Sequence, residues 1–343
     1  MLIYWIMYLI PAALAVIIVR KNQSDLFLLF CMGFIFCLII GLRHNIGSDW
    51  GAYLGHITEI KTIPFFTILE KGDYGHIITN WIMAKLNLGI YGVNFMYAII
   101  FMIGLIKFCK PEQNHWIGIT VAVPYLMIVV AMSLSKQSAA LGFLLLGLSY
   151  LKNNKVKSYV LSVFFGALFH NSVIIMLFLL VFNKNIKKQV RYIMIILTIP
   201  VLYIFLSQNY AEFFNNYISR GLKSSGIYAR LFLNLIPIFF LFIYRKKWKK
   251  NFDDYNIWYW FSFVSIVSIF FIPISSTLID RILIYFIPLQ LVVYSRLPFL
   301  NKDIIQPIYT KLAIIIFYAI VNFVWLNYSK HSPAWLPYKN ILF

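Results

Sequence analysis

Six polar segments of an otherwise apolar chain carry the residues that could do chemistry. Arginine and lysine can bind a phosphate or another anion, and arginine can do so through two parallel hydrogen bonds. A carboxylate or an imidazole can take a proton from a reacting hydroxyl. The candidate proton acceptors are Asp49, His170 and Asp280, and the candidate binding residues are Arg43, Tyr53, Glu70, Lys136, Gln137, Arg220, Arg230, Arg281 and Tyr285.

The first two segments each have a structural interpretation beside the functional one. After the second apolar stretch, Gly47 and Gly51 permit a tight backbone, and Arg43 could bind phosphate or could pair with Asp49 to hold a loop. Glu70 belongs to a group of exposed charges further along the same loop. Exposed charges are usually just solvated, so Glu70 would matter only if its loop folds back over the membrane.

Two further segments place an ionisable residue close to apolar stretches. Lys136 lies in the short connector 133–138, where it needs a partner or an anionic ligand; a side chain that bends towards water is the alternative. A single histidine such as His170 could equally be a hydrogen-bonded structural residue or a functional one.

The last two segments add basic residues in loops that also bear glycines or acids. Arg281 lies at the predicted outer end of an apolar span, whereas basic residues usually gather at cytoplasmic ends. We therefore expect it to bind a phosphate. A charge pair with the preceding aspartate at a helix start is the alternative. Tyr285 is one turn away on the same face. Arg220 and Arg230 lie in loop 207–230, which could be a mobile lid over an anionic substrate or an ordinary basic loop.

The composition predicts an all-α, polytopic membrane protein with a single domain over residues 1–343. Hydrophobic residues make up 62% of the chain and charged residues 12%, with a mean hydropathy of +0.80, which excludes a soluble domain of 343 residues. The net charge of +19 would elsewhere suggest nucleic acid, but 19 of the 30 Lys and Arg lie in short loops between apolar stretches. We therefore expect no nucleic acid partner. Without a CxxC or HExxH motif, we expect neither a metal nor a cofactor.

Ten apolar stretches are long enough to cross the ~30 Å hydrocarbon layer of a membrane. Lysine-rich loops should be cytoplasmic, so the mixed polar loops and both chain termini should be extracytoplasmic. The extracytoplasmic parts are loops 43–90 and 207–230 and an ordered tail, 328–343. We predict full spans at 1–19, 26–42, 91–109, 116–132, 137–151, 192–207, 230–244, 257–273, 281–297 and 311–327.

Residues 158–182 are flanked by basic loops on both sides, so a single crossing would break the charge rule. We predict two short helices that form a hairpin, with His170, Asn171 and Ser172 at its outer apex. Non-helical backbone at such depth is tolerated only inside protein or beside a wet cavity, so His170 should line a cavity. In loop 43–90, the apolar spacing of residues 74–90 predicts an amphipathic helix at the membrane interface.

Several short motifs occur along the chain, and their order is informative. They are GLR…GSDWGAY after the second span, EKGDYG, SKQSAA, FHNS, DRILIY and the tail WLPYKNILF. In these motifs and their placement, over nearly the whole length, the chain resembles the EpsG/Wzy-type bacterial polysaccharide polymerases. The family usually has Arg-Gln where this chain has Lys136-Gln137, which keeps the charge but loses the two-pronged donor.

The resemblance implies a GT-C-like helical fold in the bacterial inner membrane. It implies a glycosyltransferase, without a metal ion, that joins undecaprenyl-pyrophosphate-linked oligosaccharide units outside the cytoplasmic membrane, for O-antigen, capsule or exopolysaccharide. Basic residues, foremost Arg43, Lys136 and Arg281, would hold the pyrophosphate leaving group, and Asp49 or His170 would activate the acceptor hydroxyl. Besides the lipid bilayer, a chain-length regulator and a flippase are its candidate partners.

Two other functions stay open on the sequence. A lipid-linked glycan flippase or another transporter often shows inverted repeats and polar residues near the midplane, whereas this chain shows no repeat and gathers its mixed charges at one face. Two other enzymes are also alternatives. An O-antigen ligase would use the same lipid-linked donor with a different acceptor, and the second is a membrane acyltransferase.

Overall fold

The computed structural model describes residues 1–18, 22–64, 67, 73–182, 189, 192, 224, 226–300 and 305–342. This part of the chain is all-helical, with fifteen helices. Helices of the first half are α1 Leu2–Ile17, α2 Gln23–Gly41, α3 Trp50–Thr62, α4 Tyr74–Lys85, α5 Gly89–Cys109, α6 His115–Ala131, α7 Ser135–Lys152 and α8 Val156–Phe169. Those of the second half are α9 Asn171–Phe182, α10 Ile227–Ile243, α11 Arg245–Asn251, α12 Tyr255–Phe271, α13 Ser276–Leu283, α14 Pro288–Leu300 and α15 Pro307–Tyr328.

The helices confirm the predicted polytopic, all-α class. Among the described residues, α2, α5 and α15 are each long and apolar enough to cross a membrane, and two bent pairs raise the number to five. The bent pairs are α10 with α11, at 77°, and α13 with α14, at 42°. Eight of the ten predicted spans each coincide with one helix, and 281–297 falls across the bend between α13 and α14. The span 192–207 lies, apart from residue 192, outside the described residues.

Helix α5 lies at the centre of the bundle, between α2 and α7. Its contact with α7 depends on two glycines that face each other. A Cβ atom added at Gly104 would lie 2.0 Å from the carbonyl oxygen of Gly142, so the two backbones touch directly. Small residues at such crossings let membrane helices gain close van der Waals packing, which replaces the hydrophobic driving force that lipid does not supply.

Helices α8 and α9 form the hairpin that the basic flanking loops predict. Their axes pack side by side in opposite directions: the Tyr159 hydroxyl donates to the Met176 carbonyl at 2.5 Å, and nearer the apex Gly166 faces Val173. His170 is the extended residue between the two helices, with φ −154° and ψ 108°. His170 thus ends α8 and precedes α9, at the apex of the hairpin.

Loops predicted to share a side of the membrane meet at the same end of the bundle. At one end, which we call the basic end, Glu112 pairs with Lys152 and Arg296, and Arg296 also pairs with Asp254. At the other end the tail returns to the loop after α2, where the His44 amide donates to the Lys339 carbonyl at 2.9 Å. The assignment of the two ends to the cytoplasm and the exterior stays a prediction.

Candidate functional site

Three elements meet at Lys136, the second residue of α7. Its ammonium lies 2.6 Å from a carboxylate oxygen of Asp73, and both side chains are about a quarter exposed, at 26% and 24%. The backbone amide of Lys136 donates to the Tyr53 hydroxyl at 3.3 Å. Tyr53 belongs to α3, and Asp73 immediately precedes α4 in a left-handed conformation with φ 46°. The loop 43–90 thus folds back onto the start of α7.

His170 lies in a second group of hydrogen bonds at the hairpin apex. Its Nδ1 is 2.6 Å from the Ser172 hydroxyl and 3.3 Å from the Tyr285 hydroxyl, and the two hydroxyls are 3.1 Å apart. Burial lowers the pKa of His170 to about 4; Asp73 opposes this shift, and Lys136 and Arg281 add to it. The lowered pKa favours the neutral imidazole, which can accept a proton but is a weaker base than an ordinary histidine.

Gln137 and Arg281 connect the two groups. The side-chain amide of Gln137, the residue after Lys136, donates to the Arg281 backbone carbonyl at 3.0 Å. The charges of Asp73 and Arg281 act on both His170 and Tyr285. These residues form one assembly, which we call the polar cluster: Tyr53, Asp73, Lys136, Gln137, His170, Ser172, Arg281 and Tyr285.

Chemically, the polar cluster combines two cations, one carboxylate and one neutral imidazole at one end of an apolar bundle. The cations can stabilise a phosphate whose negative charge grows as it leaves, and the imidazole can take up a proton. Among the described residues, no group of three or more His, Cys, Asp or Glu could hold a metal ion.

A comparison with protein families identifies the chain. The model of the EpsG family matches residues 26–340. The chain belongs to the EpsG family. Membership indicates a role as a polysaccharide polymerase, a glycosyltransferase-like enzyme, in a multi-pass membrane protein. A search of the curated proteins and a search of the solved structures each found no match.

In this EpsG-family chain, Arg43 lies outside the polar cluster and within the protein interior. Its side chain is 2% exposed. The guanidinium donates to the carbonyls of Met132 at 2.9 Å and Ile40 at 2.6 Å, and to Ser135 at 2.9 Å and Asn94 at 3.1 Å. Burial lowers the pKa of Arg43 to about 10, so it stays charged at neutral pH. Arg43 joins α2, α5 and the connector before α7, next to Lys136.

Asp280 and Arg230 pair with each other. One guanidinium nitrogen of Arg230 is 2.5 Å from a carboxylate oxygen of Asp280 and 2.8 Å from the Tyr125 hydroxyl. Ser224 donates to the same carboxylate oxygen at 2.9 Å. This group holds the end of loop 207–230 against α13, one residue before Arg281. The pair of Asp280 and Arg230 thus stabilises α13 next to Arg281, a residue of the polar cluster.

Of the remaining predicted residues, Asp49 adjoins the polar cluster through the backbone of Tyr53, and two others lie outside the described part of the chain. Asp49 is half-buried at the start of α3, where it accepts a hydrogen bond from Ser48 at 3.1 Å. Ser48 in turn lies 2.9 Å from the Ser133 hydroxyl in the connector before α7. Glu70 and Arg220 lie outside the described residues.

Sequence reasoning did not select Asp73 or the histidines beside it. His76 is buried in α4, with Nδ1 2.7 Å from the Tyr97 hydroxyl and Nε2 3.3 Å from Nδ1 of His56. Burial, followed by the charges of Lys136 and His56, lowers the pKa of His76 well below its usual value. Its ring meets that of Tyr53 edge-on at 5.7 Å. The i, i+4 spacing of His76 and Asn80 on one helix face was the available signal.

Proposed function

We propose that this chain is the polymerase that joins polyprenyl-pyrophosphate-linked oligosaccharide repeat units at the outer face of the bacterial cytoplasmic membrane. The observation that supports it best is the polar cluster: residues from α3, α7, the hairpin and α13 meet at one end of an apolar bundle, with the Lys136 ammonium beside Asp73 and the Gln137 side chain on the Arg281 carbonyl. A lipid-linked donor suits this place, because its polyprenyl chain can stay in the membrane while its pyrophosphate reaches the cations.

In the proposed reaction, the acceptor hydroxyl oxygen forms a bond to the anomeric carbon of the donor sugar. The bond from that carbon to the pyrophosphate oxygen breaks, and the electron pair leaves with the pyrophosphate. Lys136 and Arg281 stabilise the charge that develops on the leaving group. His170 takes the acceptor proton. An anionic pyrophosphate beside Lys136 and Arg281 would offset their charges and so raise the pKa of His170, which strengthens it as a base.

The geometry ranks the other candidates behind His170. Asp280 is paired with Arg230, and Asp49 lies at the side of the cluster, next to Ser48. Asp73 already neutralises part of the charge of Lys136. We therefore assign His170 the role of base, Lys136 and Arg281 the role of pyrophosphate ligands, and Arg43 the role of a positioning residue.

A deletion strain tests the proposed function. We expect it to make single lipid-linked repeat units and to export them, and then to fail to lengthen them. Extraction of the lipid-linked glycans and separation by length measure this directly. Long lipid-linked polymer in the deletion strain would instead identify a ligase, and single units confined to the cytoplasmic leaflet would identify a flippase.

Complementation then tests His170. The variant His170→Gln should leave single units, whereas His331→Gln, the same change at an exposed tail histidine, should restore long chains. Both proteins should be present in the membrane at normal levels. Normal chain length with His170→Gln would show that His170 is not the base. The deletion strain would still test the polymerase function independently.

A further inference from the structure

A second polar site lies at the opposite end of α7 from Lys136. A cavity of about 660 Å³ opens between the start of α2, the end of α5 and the end of α7. Its lining includes Asn22, Gln23, Lys107, Lys110 and Asn153. Among the described residues, the lining carries two positive charges and no acidic side chain, so this part of the cavity is complementary to an anion.

The first turn of α2 strengthens this preference. The Asn22 side chain caps the helix by accepting from the Asp25 amide at 2.7 Å, and the positive end of the helix dipole points to the cavity wall. The carboxylates in the neighbourhood are turned to other groups. Asp25 is buried and accepts from the Trp116 indole at 2.6 Å. Glu112 accepts from Lys152 and Arg296.

The cavity adjoins an apolar surface that faces outward. Phe27, Phe30 and Phe34 form one stripe along α2 and are 72%, 53% and 59% exposed, and Ile103 on the neighbouring helix α5 is 56% exposed. The ammonium of Lys110 lies 5.5 Å from the centre of the Phe30 ring. The basic cavity and the exposed apolar stripe are therefore in contact through Lys110 and Phe30.

We propose that this cavity binds the phosphate headgroup of an anionic phospholipid, whose acyl chains lie along the Phe27, Phe30 and Phe34 stripe. Basic pockets between membrane helices suit such headgroups, and each lysine near the phosphate strengthens binding. The stripe distinguishes a lipid from a free phosphate, because a free phosphate has nothing to place there. The two lysines of the described lining disfavour headgroups that also carry an ammonium, because like charges repel.

Lipid binding by the purified, delipidated protein tests the proposal. The probes are phosphatidylglycerol, phosphatidylcholine and inorganic phosphate, measured by native mass spectrometry and by the shift in melting temperature. The variant pair Lys107→Gln with Lys110→Gln should weaken phosphatidylglycerol binding roughly tenfold or more. The matched pair Lys155→Gln with Lys157→Gln removes the same charge from exposed positions outside the cavity and should leave binding unchanged.

Three outcomes would overturn the proposal. Equal weakening by the two variant pairs would show that only the total charge of the basic end matters. Equal binding of phosphatidylcholine would show that the headgroup charge is not recognised. Full protection by inorganic phosphate at the concentration where phosphatidylglycerol protects would identify a phosphate site without a lipid. Chain extension need not change in any of these experiments, so they are independent of the proposed polymerase reaction.

Discussion

At the scale of single residues, the contact between Lys136 and Asp73 is the most informative feature of the polar cluster. A pair that is about a quarter exposed contributes only ~0–1 kcal/mol to stability, so folding alone does not explain it. Its position beside His170 and Arg281 offers a better reason. Lys136 is held by Asp73 in the place where an anionic group of the substrate would arrive.

Three variants separate the structural role of Lys136 from its role in binding. Lys136→Gln should abolish chain extension, and the double change Lys136→Gln with Asp73→Asn should not restore it, because the ligand and not Asp73 needs the positive charge. Lys136→Arg should keep chain extension, since the two-pronged donor suits a phosphate at least as well. Extension is measured with isolated membranes and lipid-linked repeat units. Recovery in the double variant would show that Lys136 only neutralises Asp73.

Arg43 illustrates the opposite case, a basic residue whose hydrogen bonds lie inside the protein. Arg43→Lys should lower the free energy of unfolding by about 3 kcal/mol, because a single ammonium cannot reach the carbonyls of Met132 and Ile40 together with Ser135. The measurement is the melting temperature of the detergent-purified protein. Arg281→Lys, a control at an exposed position, should melt normally. Normal melting of Arg43→Lys combined with lost activity would instead place Arg43 on the substrate.

At the scale of elements, the two ends of α7 are positioned by its crossing with α5. Gly104 and Gly142 bring the two helices into backbone contact, and Lys136, the second residue of α7, precedes Gly142 in the same helix. Gly51 is a useful contrast: a Cβ added there would meet nothing within 4 Å. The tight backbone expected for the loop after α2 depends on Gly47, where φ is 98° and an added Cβ would lie 2.2 Å from the Met132 carbonyl oxygen.

A pair of alanine substitutions tests the crossing. Gly104→Ala should force α5 and α7 apart and lower the free energy of unfolding by about 1–3 kcal/mol. Chain extension should fall as well, because the start of α7 moves relative to α3 and α13. Gly51→Ala should change neither quantity. The melting temperature and the length of the lipid-linked glycans provide the two measurements, and a normal Gly104→Ala protein would contradict the packing.

Much of this organisation could be predicted from the sequence, and the missing part has a physical reason. Apolar length defined the spans, and charge on both flanks of 158–182 defined the hairpin, because these are local properties. Tyr53, Lys136, Gln137, His170, Arg281 and Tyr285 were selected and do meet. The partners could not be chosen: Asp73 was not selected as the partner of Lys136, and Arg43 was expected at a phosphate. Pairings across the bundle depend on helix packing, which no local pattern records.

At the scale of the whole molecule, the ion pairs at the two ends of the bundle differ in how deeply they are buried. At the basic end, Glu112, Lys152, Asp254 and Arg296 pair among themselves and are largely buried. Removing one partner there would leave an uncompensated buried charge, so this end is suited to fastening helices together. At the other end the Lys136–Asp73 pair is partly exposed. The partly exposed Lys136–Asp73 pair is therefore open to an arriving substrate, whereas the buried pairs of the basic end are not.

The orientation of these two ends in the membrane decides whether the proposed reaction takes place outside the cell. With the three native cysteines replaced, single cysteines at Ser48 and His331 should react with an impermeant thiol reagent in intact cells. Cysteines at Asn153, Gln189 and Asn251 should react only after permeabilisation, because the basic loops resist translocation. Asn153 and Gln189 flank the hairpin, so labelling of just one of them in intact cells would show that 158–182 crosses once. The reverse pattern at all five positions would place the polar cluster in the cytoplasm, where exported repeat units cannot reach it, and would contradict the proposed polymerase at the outer face.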